Sequence, residues 1–137
     1  MPVDFSSASA PAISIALETA VNPAAVHVVH VIPALNPVSP TGIWGDPDAE
    51  KQLCSTAAKH LETFLASHDF DGLVSCVRIG EAGQQIVDYA DEVQADLIVI
   101  PSHGFHGIKR ALLGSVAERV TRYAQCETLV LRRPDSE

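Results

Sequence analysis

Apolar residues along the chain recur at two spacings. Ile13, Ala16, Leu17 and Ala20 follow helical spacing, which predicts a helix over residues 7–21 with Ser6 or Ser7 as a possible N-cap. Short runs rich in β-branched residues, such as AVHVVHVI, instead predict strands. The further helices are predicted over 48–68, 83–93 and 115–124, and the strands over 25–32, 73–78, 95–100 and 128–131.

Helices and strands therefore alternate along the chain, and the strands are almost uniformly apolar. This order predicts an α/β fold, in which a parallel sheet carries helices on both faces and right-handed crossovers join the strands. Nothing in the 137 residues suggests an internal boundary, so we expect one domain over 1–137. The long loop over 33–47 holds four prolines and is the main interruption.

The strand that should precede the first helix is very short. Only Met1, Pro2 and Val3 stand before Asp4, whereas a buried strand usually has five or six residues. We expect either a truncated first strand or a natural chain that begins several residues upstream. In the second case this chain would unfold at a lower temperature than an extended one.

Composition limits the classes of function. Apolar residues make up 47% and charged residues 19%, as in a folded domain. A net charge of −8 argues against nonspecific binding to nucleic acid. No apolar run is long enough to cross a membrane, and no leader pattern is present. Three cysteines without CxxC spacing favour a reducing, cytoplasmic location.

The segment PSHGFHGIKRALLGS, over 101–115, suggests an anion site. Gly104 lets a ligand approach the backbone, and Gly114–Ser115 opens a helix whose N–H groups can hold a phosphate. The Ser115 hydroxyl could contact the phosphate or cap the helix. Residues 101–133 carry six basic and two acidic side chains, a net +4, which could favour an anion or be balanced by acidic neighbours. The segment matches neither a P-loop nor GxGxxG.

The sequence gives little support for metal binding or hydrolytic catalysis. His103 and His106 have HxxH spacing but lack the further ligands that zinc needs, so no metal site is predicted. Ser102 and His103 are adjacent, but no nucleophile elbow or oriented triad accompanies them. We therefore predict no catalytic residue.

The chain resembles the universal stress protein family nearly end to end. The resemblance rests on PVDFSSAS, HVI at 30–32, ADLIVIPSHG and LLGSVAERVTRYAQCETLVL. Nucleotide-binding members carry Gly, two residues, Gly, nine residues, then Gly followed by Ser or Thr. Gly104, Gly114 and Ser115 fit this motif, but its first glycine is replaced by Pro101.

The resemblance implies a doubly wound five-stranded sheet of order 3-2-1-4-5 and a homodimer through the last strand. In ATP-binding members, Asp4 and Val31 would face the adenine, and Ile100, His103 and Gly104 would follow the ribose and phosphates. Gly114, Ser115 and Val116 would hold the phosphate tail. Pro2 and Val3 lead to the same edge. Asp4 could instead be the N-cap of the first helix.

The sequence thus predicts a stress-response regulatory or sensor protein that binds ATP or a related adenine nucleotide, with Mg²⁺ as a possible companion, as a homodimer. At most slow hydrolysis is expected. Pro101 lacks an N–H donor and leaves an alternative, a nucleotide-free dimeric interaction module. An ATP-dependent enzyme would need a pyrophosphate loop such as SGGxDS, and PVDFSSAS has no glycine.

Overall fold

A computed structural model describes residues 1–34, 47–103 and 113–132. Helices and strands alternate, as the sequence predicts, and a short 3-10 helix at Pro23–Ala25 precedes the first strand. The elements are α1 (Ser9–Thr19), β1 (His27–Ile32), α2 (Pro47–Ser67), β2 (Val74–Ile79), α3 (Ala82–Glu92), β3 (Leu97–Pro101), α4 (Ser115–Tyr123) and β4 (Glu127–Leu131).

Most predicted bounds are right within two residues, but the beginning of the chain differs. The first helix is shorter than predicted and has Ala8 at its N-cap, without a side-chain cap, instead of Ser6 or Ser7. Ala25 belongs to the 3-10 helix, which Asn22 caps through its side chain, so β1 begins only at His27. Most of the predicted loop over 33–47 lies outside the described residues.

The strands form two parallel pairs, β1 with β2 and β3 with β4. In the predicted 3-2-1-4-5 order, strand 1 is the short segment at the start of the chain, so β1 and β2 correspond to strands 2 and 3, and β3 and β4 to strands 4 and 5. Both observed pairs agree with neighbours in that order. Among the described residues, however, no ladder joins the pairs, so the single five-stranded sheet is not present as predicted. No helix in the described part of the chain is long and apolar enough to cross a membrane.

The first strand is very short, and its shortness explains why the sheet is divided. Pro2 forms an isolated parallel bridge with Val29, and the Val3 amide donates to the Val29 carbonyl at 2.8 Å. The Val29 amide donates to the Met1 carbonyl at 2.9 Å. This three-residue stub, Met1–Val3, therefore lies beside β1 as the predicted order requires. It is too short to form a ladder with β3 as well.

Side-chain packing joins the two pairs where backbone pairing does not. On one face, α1 and α2 pack on Val3, Val28 and Val99 through a core that includes Ile13 and Leu61. On the other face, a second cluster joins β3 to α3 and α4 through Ile86, Val87, Ala90, Ile98, Ile100, Ala117 and Val120. Successive residues of β3 thus serve opposite faces, as the two-residue period of a strand requires.

Candidate functional site

The carboxyl ends of β1 and β3 lie at one edge of the fold. Val31, near the end of β1, packs against the apolar cluster that contains Ile100 of β3. Val116 of α4 packs against the same cluster. At the opposite edge, Met1, Val26 and Leu97 line one cavity, so the amino ends also lie together. We call the first of these the carboxyl edge. Parallel α/β folds bind ligands beyond this end of their strands.

A fixed turn follows the stub at the carboxyl edge. An Asp4 carboxylate oxygen accepts hydrogen bonds from the Ser6 amide at 2.9 Å and the Ser9 hydroxyl at 3.1 Å. The Val3 carbonyl lies 2.9 Å from His30 Nδ1, which must carry a proton to donate to it. Asp4 therefore holds the turn that leads into α1 and is not its N-cap residue.

Phe5 lies at the centre of this turn with a φ of 60°, in the left-handed region that costs a bulky residue energy. Packing holds it there. Its ring stacks on His60 with centroids 4.3 Å apart and meets Phe64 edge-on at 5.4 Å. The ring also contacts His30 at 4.6 Å. The backbone around Asp4 and Ser6 is thus anchored to β1 and α2.

Pro101 ends β3 with its nitrogen on the side away from β4. The Ser102 amide donates to the Leu131 carbonyl at 2.8 Å, so this amide faces β4. Because successive backbone groups alternate along a strand, Pro101 faces the stub side. The proline costs no hydrogen bond with β4, and it removes a donor from the side where the stub ends.

The first residues of α4 are attached to the end of β3. The Gly114 amide donates to the Ser102 carbonyl at 2.7 Å, and a Cβ on Gly114 would lie 3.1 Å from that oxygen. Glycine thus permits a close approach of two backbones. Gly114 is the N-cap residue, so Ser115 is the first helical residue and its side chain is exposed. The amides of the first turn beyond Gly114 are oriented toward this end of the helix.

Two buried polar atoms at this edge have no hydrogen-bond partner among the described residues: Ser6 Oγ and His103 Nε2. The other ring nitrogen of His103 lies 3.2 Å from the Ser102 hydroxyl. Leaving a buried polar atom unpaired costs about 1–3 kcal/mol. Such atoms call for an explanation, and a polar ligand at the carboxyl edge would supply one.

The arginines of α4 contribute less positive field than the sequence suggests. Arg119 Nε lies 3.2 Å from a Glu81 carboxylate oxygen, and Arg122 contacts Glu118 at 2.7 Å. These pairs favour the second interpretation of the basic segment, in which acidic neighbours balance it. Lys109, Arg110 and Arg133 lie outside the described residues.

The structure brings most of the predicted site residues to one edge. Val3 ends the stub and Asp4 follows it, Val31 lies near the end of β1, and Ile100 lies near the end of β3 with His103 just beyond it. Gly114 caps α4, and Ser115 and Val116 begin it. Pro2 is the exception, because it also lines the cavity at the opposite edge. Gly104 and His106 lie outside the described residues. In the described part of the chain, no group of three metal-ligating side chains is found.

Sequence reasoning did not identify the supporting roles of Ser6, Ser9 and His30. Ser9 is 1% exposed and Ser6 7% exposed, so both face inward from a segment, SSAS, that looks uniformly polar. His30 could be assigned only to packing or an indirect role, because its spacing from His27 indicates opposite faces and names no partner.

The family model of the universal stress protein family matches residues 1–132. The chain belongs to the universal stress protein family. It is 31% identical over 133 residues to universal stress protein A homolog 1 of Coxiella burnetii, across 94% of this chain and 91% of that relative. A more local match, 47% over 58 residues, covers 42% of this chain and 34% of universal stress protein MJ0531 of Methanocaldococcus jannaschii.

Several solved structures have the same fold. Hypothetical protein MJ0577 superposes with a TM-score of 0.77 at 25% identity, covering 98% of this chain and 94% of its own. A universal stress protein in complex with cAMP superposes with a TM-score of 0.63 at 20% identity, covering 98% and 94%. At that identity the second likeness shows the fold alone.

Proposed function

We propose that this universal stress protein binds an adenine nucleotide, with ATP the expected ligand, at the carboxyl edge. The observation that carries the proposal is a pair of buried polar atoms, Ser6 Oγ and His103 Nε2, that have no hydrogen-bond partner in the described part of the chain and lie at the edge where such folds hold ligands. The cAMP complex of a protein with this fold is consistent with an adenine nucleotide as the class of ligand.

The residues present fit such a ligand. The partly buried Val31 offers an apolar surface for a base, and Ile100 is buried in the cluster that Val31 packs against. The anchored Asp4 carboxylate can accept from an adenine amino group or a ribose hydroxyl. His103 supplies a polar nitrogen beside them. The first turn of α4, at Ser115 and Val116, offers N–H groups to phosphate oxygens. Gly104 is expected to complete the phosphate loop.

Calorimetric titration of the purified chain with ATP and magnesium tests this proposal. His103→Ala should weaken binding by about tenfold, because a buried hydrogen bond to the ligand is worth roughly 1–2 kcal/mol. His68→Ala is the matched control, since His68 is an exposed histidine just beyond the end of α2 whose hydrogen bonds go to its neighbours Ser67 and Phe64. No binding up to millimolar ATP and no copurified nucleotide would refute the proposal.

A nucleotide-free interaction module is the second candidate, and Pro101 favours it. Its nitrogen lies on the stub side of β3, where it offers no donor to a ligand. Pro101→Gly distinguishes the two functions. If the wild-type chain does not bind ATP and Pro101→Gly does, the module has lost its ligand through this one residue.

We further propose that the chain acts as a homodimeric regulatory or sensor protein whose copies pair through β4. In the described part of the chain β4 pairs only with β3, so its other edge is open, and Leu129 is 37% exposed. Light scattering should give twice the monomer mass, and Leu129→Arg should shift it toward the monomer. A monomeric mass throughout the micromolar range would contradict dimerisation but not nucleotide binding. We propose no efficient turnover; slow hydrolysis is the most we expect.

A further inference from the structure

Ser102 lies beside His103 and is held rigidly just beyond the end of β3. Its amide donates to the Leu131 carbonyl at 2.8 Å, and its carbonyl accepts from the Gly114 amide at 2.7 Å. The residue is 8% exposed, and its hydroxyl oxygen lies 3.2 Å from His103 Nδ1. Ser102 is therefore a fixed, buried support for the histidine that the proposed function uses.

The hydrogen bond between the two side chains can run in either direction, because a neutral histidine carries its proton on Nδ1 or on Nε2. If Nδ1 carried the proton, it would donate to the Ser102 oxygen. The serine hydroxyl proton and the Nε2 lone pair would then both lack a partner within the described residues. If Nε2 carries the proton, the hydroxyl donates to Nδ1, and only the Nε2–H is left without a partner.

The second arrangement leaves fewer buried polar groups unpaired. Each unpaired group of this kind destabilises the folded state, so the second arrangement is the favoured one. His103 Nε2 is thus a hydrogen-bond donor, and the atom that completes this pair must be an acceptor.

The other donors close to His103 come from the start of α4. A Cβ on Gly114 would lie 3.6 Å from His103 Cα, so the backbone of His103 lies against the beginning of this helix. The amides of the first helical turn have no acceptor within the helix and are oriented toward the same end. A surrounding of N–H donors suits a group that only accepts, and the phosphates are the part of a nucleotide with that property.

We propose that Ser102 is a positioning residue, whose hydroxyl donates to His103 Nδ1 and holds the ring with its Nε2–H directed at a phosphate oxygen of the nucleotide. The inference rests on the proposed function and sharpens it. Ser102 does not touch the ligand and acts only through the histidine ring. The alternative, an unprotonated Nε2, would instead accept from a ribose hydroxyl or an adenine amino group.

Nitrogen NMR of the histidine rings tests the direction of the hydrogen bond without any ligand. The spectrum distinguishes a protonated from an unprotonated ring nitrogen, and His103→Ala identifies the signals of His103 among the six histidines. At a pH of about 8, where histidine is neutral, Nε2 should carry the proton. Ser102→Ala should shift the Nδ1 resonance, because that nitrogen loses its donor. A proton on Nδ1, or an Nδ1 resonance that Ser102→Ala leaves unchanged, would overturn the proposal.

Calorimetric titration with ATP tests whether Ser102 acts through His103. Ser102→Ala should weaken binding by about threefold to fivefold, because the donor to the phosphate is no longer held in place. In a chain that already carries His103→Ala, Ser102→Ala should cause no further loss. A serine with a merely structural role would weaken binding by the same factor in both chains, and this result would also overturn the proposal.

Adenosine is the matched control ligand, since it lacks phosphate. Its affinity should be the same for the wild-type chain and for Ser102→Ala, and an equal loss for adenosine and ATP would refute the phosphate contact. Failure of the proposed function gives a different result. Absence of ATP binding would refute the nucleotide site, whereas ATP binding with a proton on Nδ1 would keep that site and refute the role of Ser102.

Discussion

The two edges of this fold leave different groups unsatisfied. At the carboxyl edge the strands end in anchored turns, and the unpartnered groups in the described residues are side-chain atoms of Ser6 and His103. At the amino ends of β1 and β3 a cavity of about 410 Å³ is lined mainly by apolar residues, and no ladder joins these two strands in the described part of the chain. A small polar ligand can satisfy the side-chain atoms at the first edge, whereas the groups left open at the second are backbone amides and carbonyls.

The contrast also shows what holds the two strand pairs together. No ladder joins the two strand pairs in the described residues, so packed side chains must hold the pairs together. Val99 is 4% exposed and shares a core with Val3 and Val28. The amino half of β3 is therefore expected to be the most sensitive region to a polar substitution.

Val99→Asp should give the largest effect. A carboxylate without a partner in this core should cost about 3–5 kcal/mol of the free energy of unfolding, enough to remove the cooperative transition. Val74→Asp is the control, because it makes the same substitution on a strand, β2, at a side chain 36% exposed. Urea unfolding checks both. Equal losses would mean that the core between the pairs does not provide the cohesion.

The Met1 ammonium should give the next effect, through pH. Its pKa is about 6 in the folded chain and about 8.0 when unfolded, so the unfolded chain binds more protons between these values. The free energy of unfolding should rise by about 2–3 kcal/mol from pH 6 to pH 8 from this group alone. Below pH 6 the whole penalty is present, and above pH 8 it is absent.

N-terminal acetylation isolates this effect, because it changes only the amino group of Met1. The acetylated chain should be the more stable one at pH 6, and the two chains should converge near pH 8. Urea unfolding at both pH values measures the difference. A difference that does not change with pH would mean that the amino group is solvated in the folded chain.

His30→Phe tests the carboxyl edge. Phenylalanine keeps an aromatic contact with Phe5 but removes the donor to the Val3 carbonyl, which should cost about 1 kcal/mol of stability. ATP affinity should fall as well, since the Asp4 turn loosens. His60→Phe is the control, because His60 also stacks on Phe5 and is not the residue that bonds to Val3. Equal effects from both variants would leave only the ring contact as the cause.

Among the described residues, periodicity and alternation were enough to predict the four α-helices and the four strands, because each buries one repeating pattern of apolar residues, but they did not predict the 3-10 helix. They could not predict a divided sheet, which depends on whether three residues can pair on two sides. At the candidate site, the residue pattern indicated Gly114, and the family resemblance implied Asp4 and His103. The roles of Ser6 and His30 depend on a turn with Phe5 in the left-handed region, and nothing local in the sequence indicates that conformation.

Glu118→Gln should give the smallest effect, and its two consequences should have opposite signs. Glu118 pairs with Arg122 across one turn, and both side chains are more than half exposed, so losing the pair should cost only about 0.3–0.5 kcal/mol. The same carboxylate lies in the first turn of α4, where it competes with a phosphate for the positive end of the helix. Removing its charge should therefore strengthen ATP binding by about twofold, most clearly at low salt.

Glu62→Gln, at an exposed position of α2, is the control for a changed net charge. If both variants improve binding equally, the nucleotide responds to the total charge of the protein, and the phosphates do not lie at the start of α4.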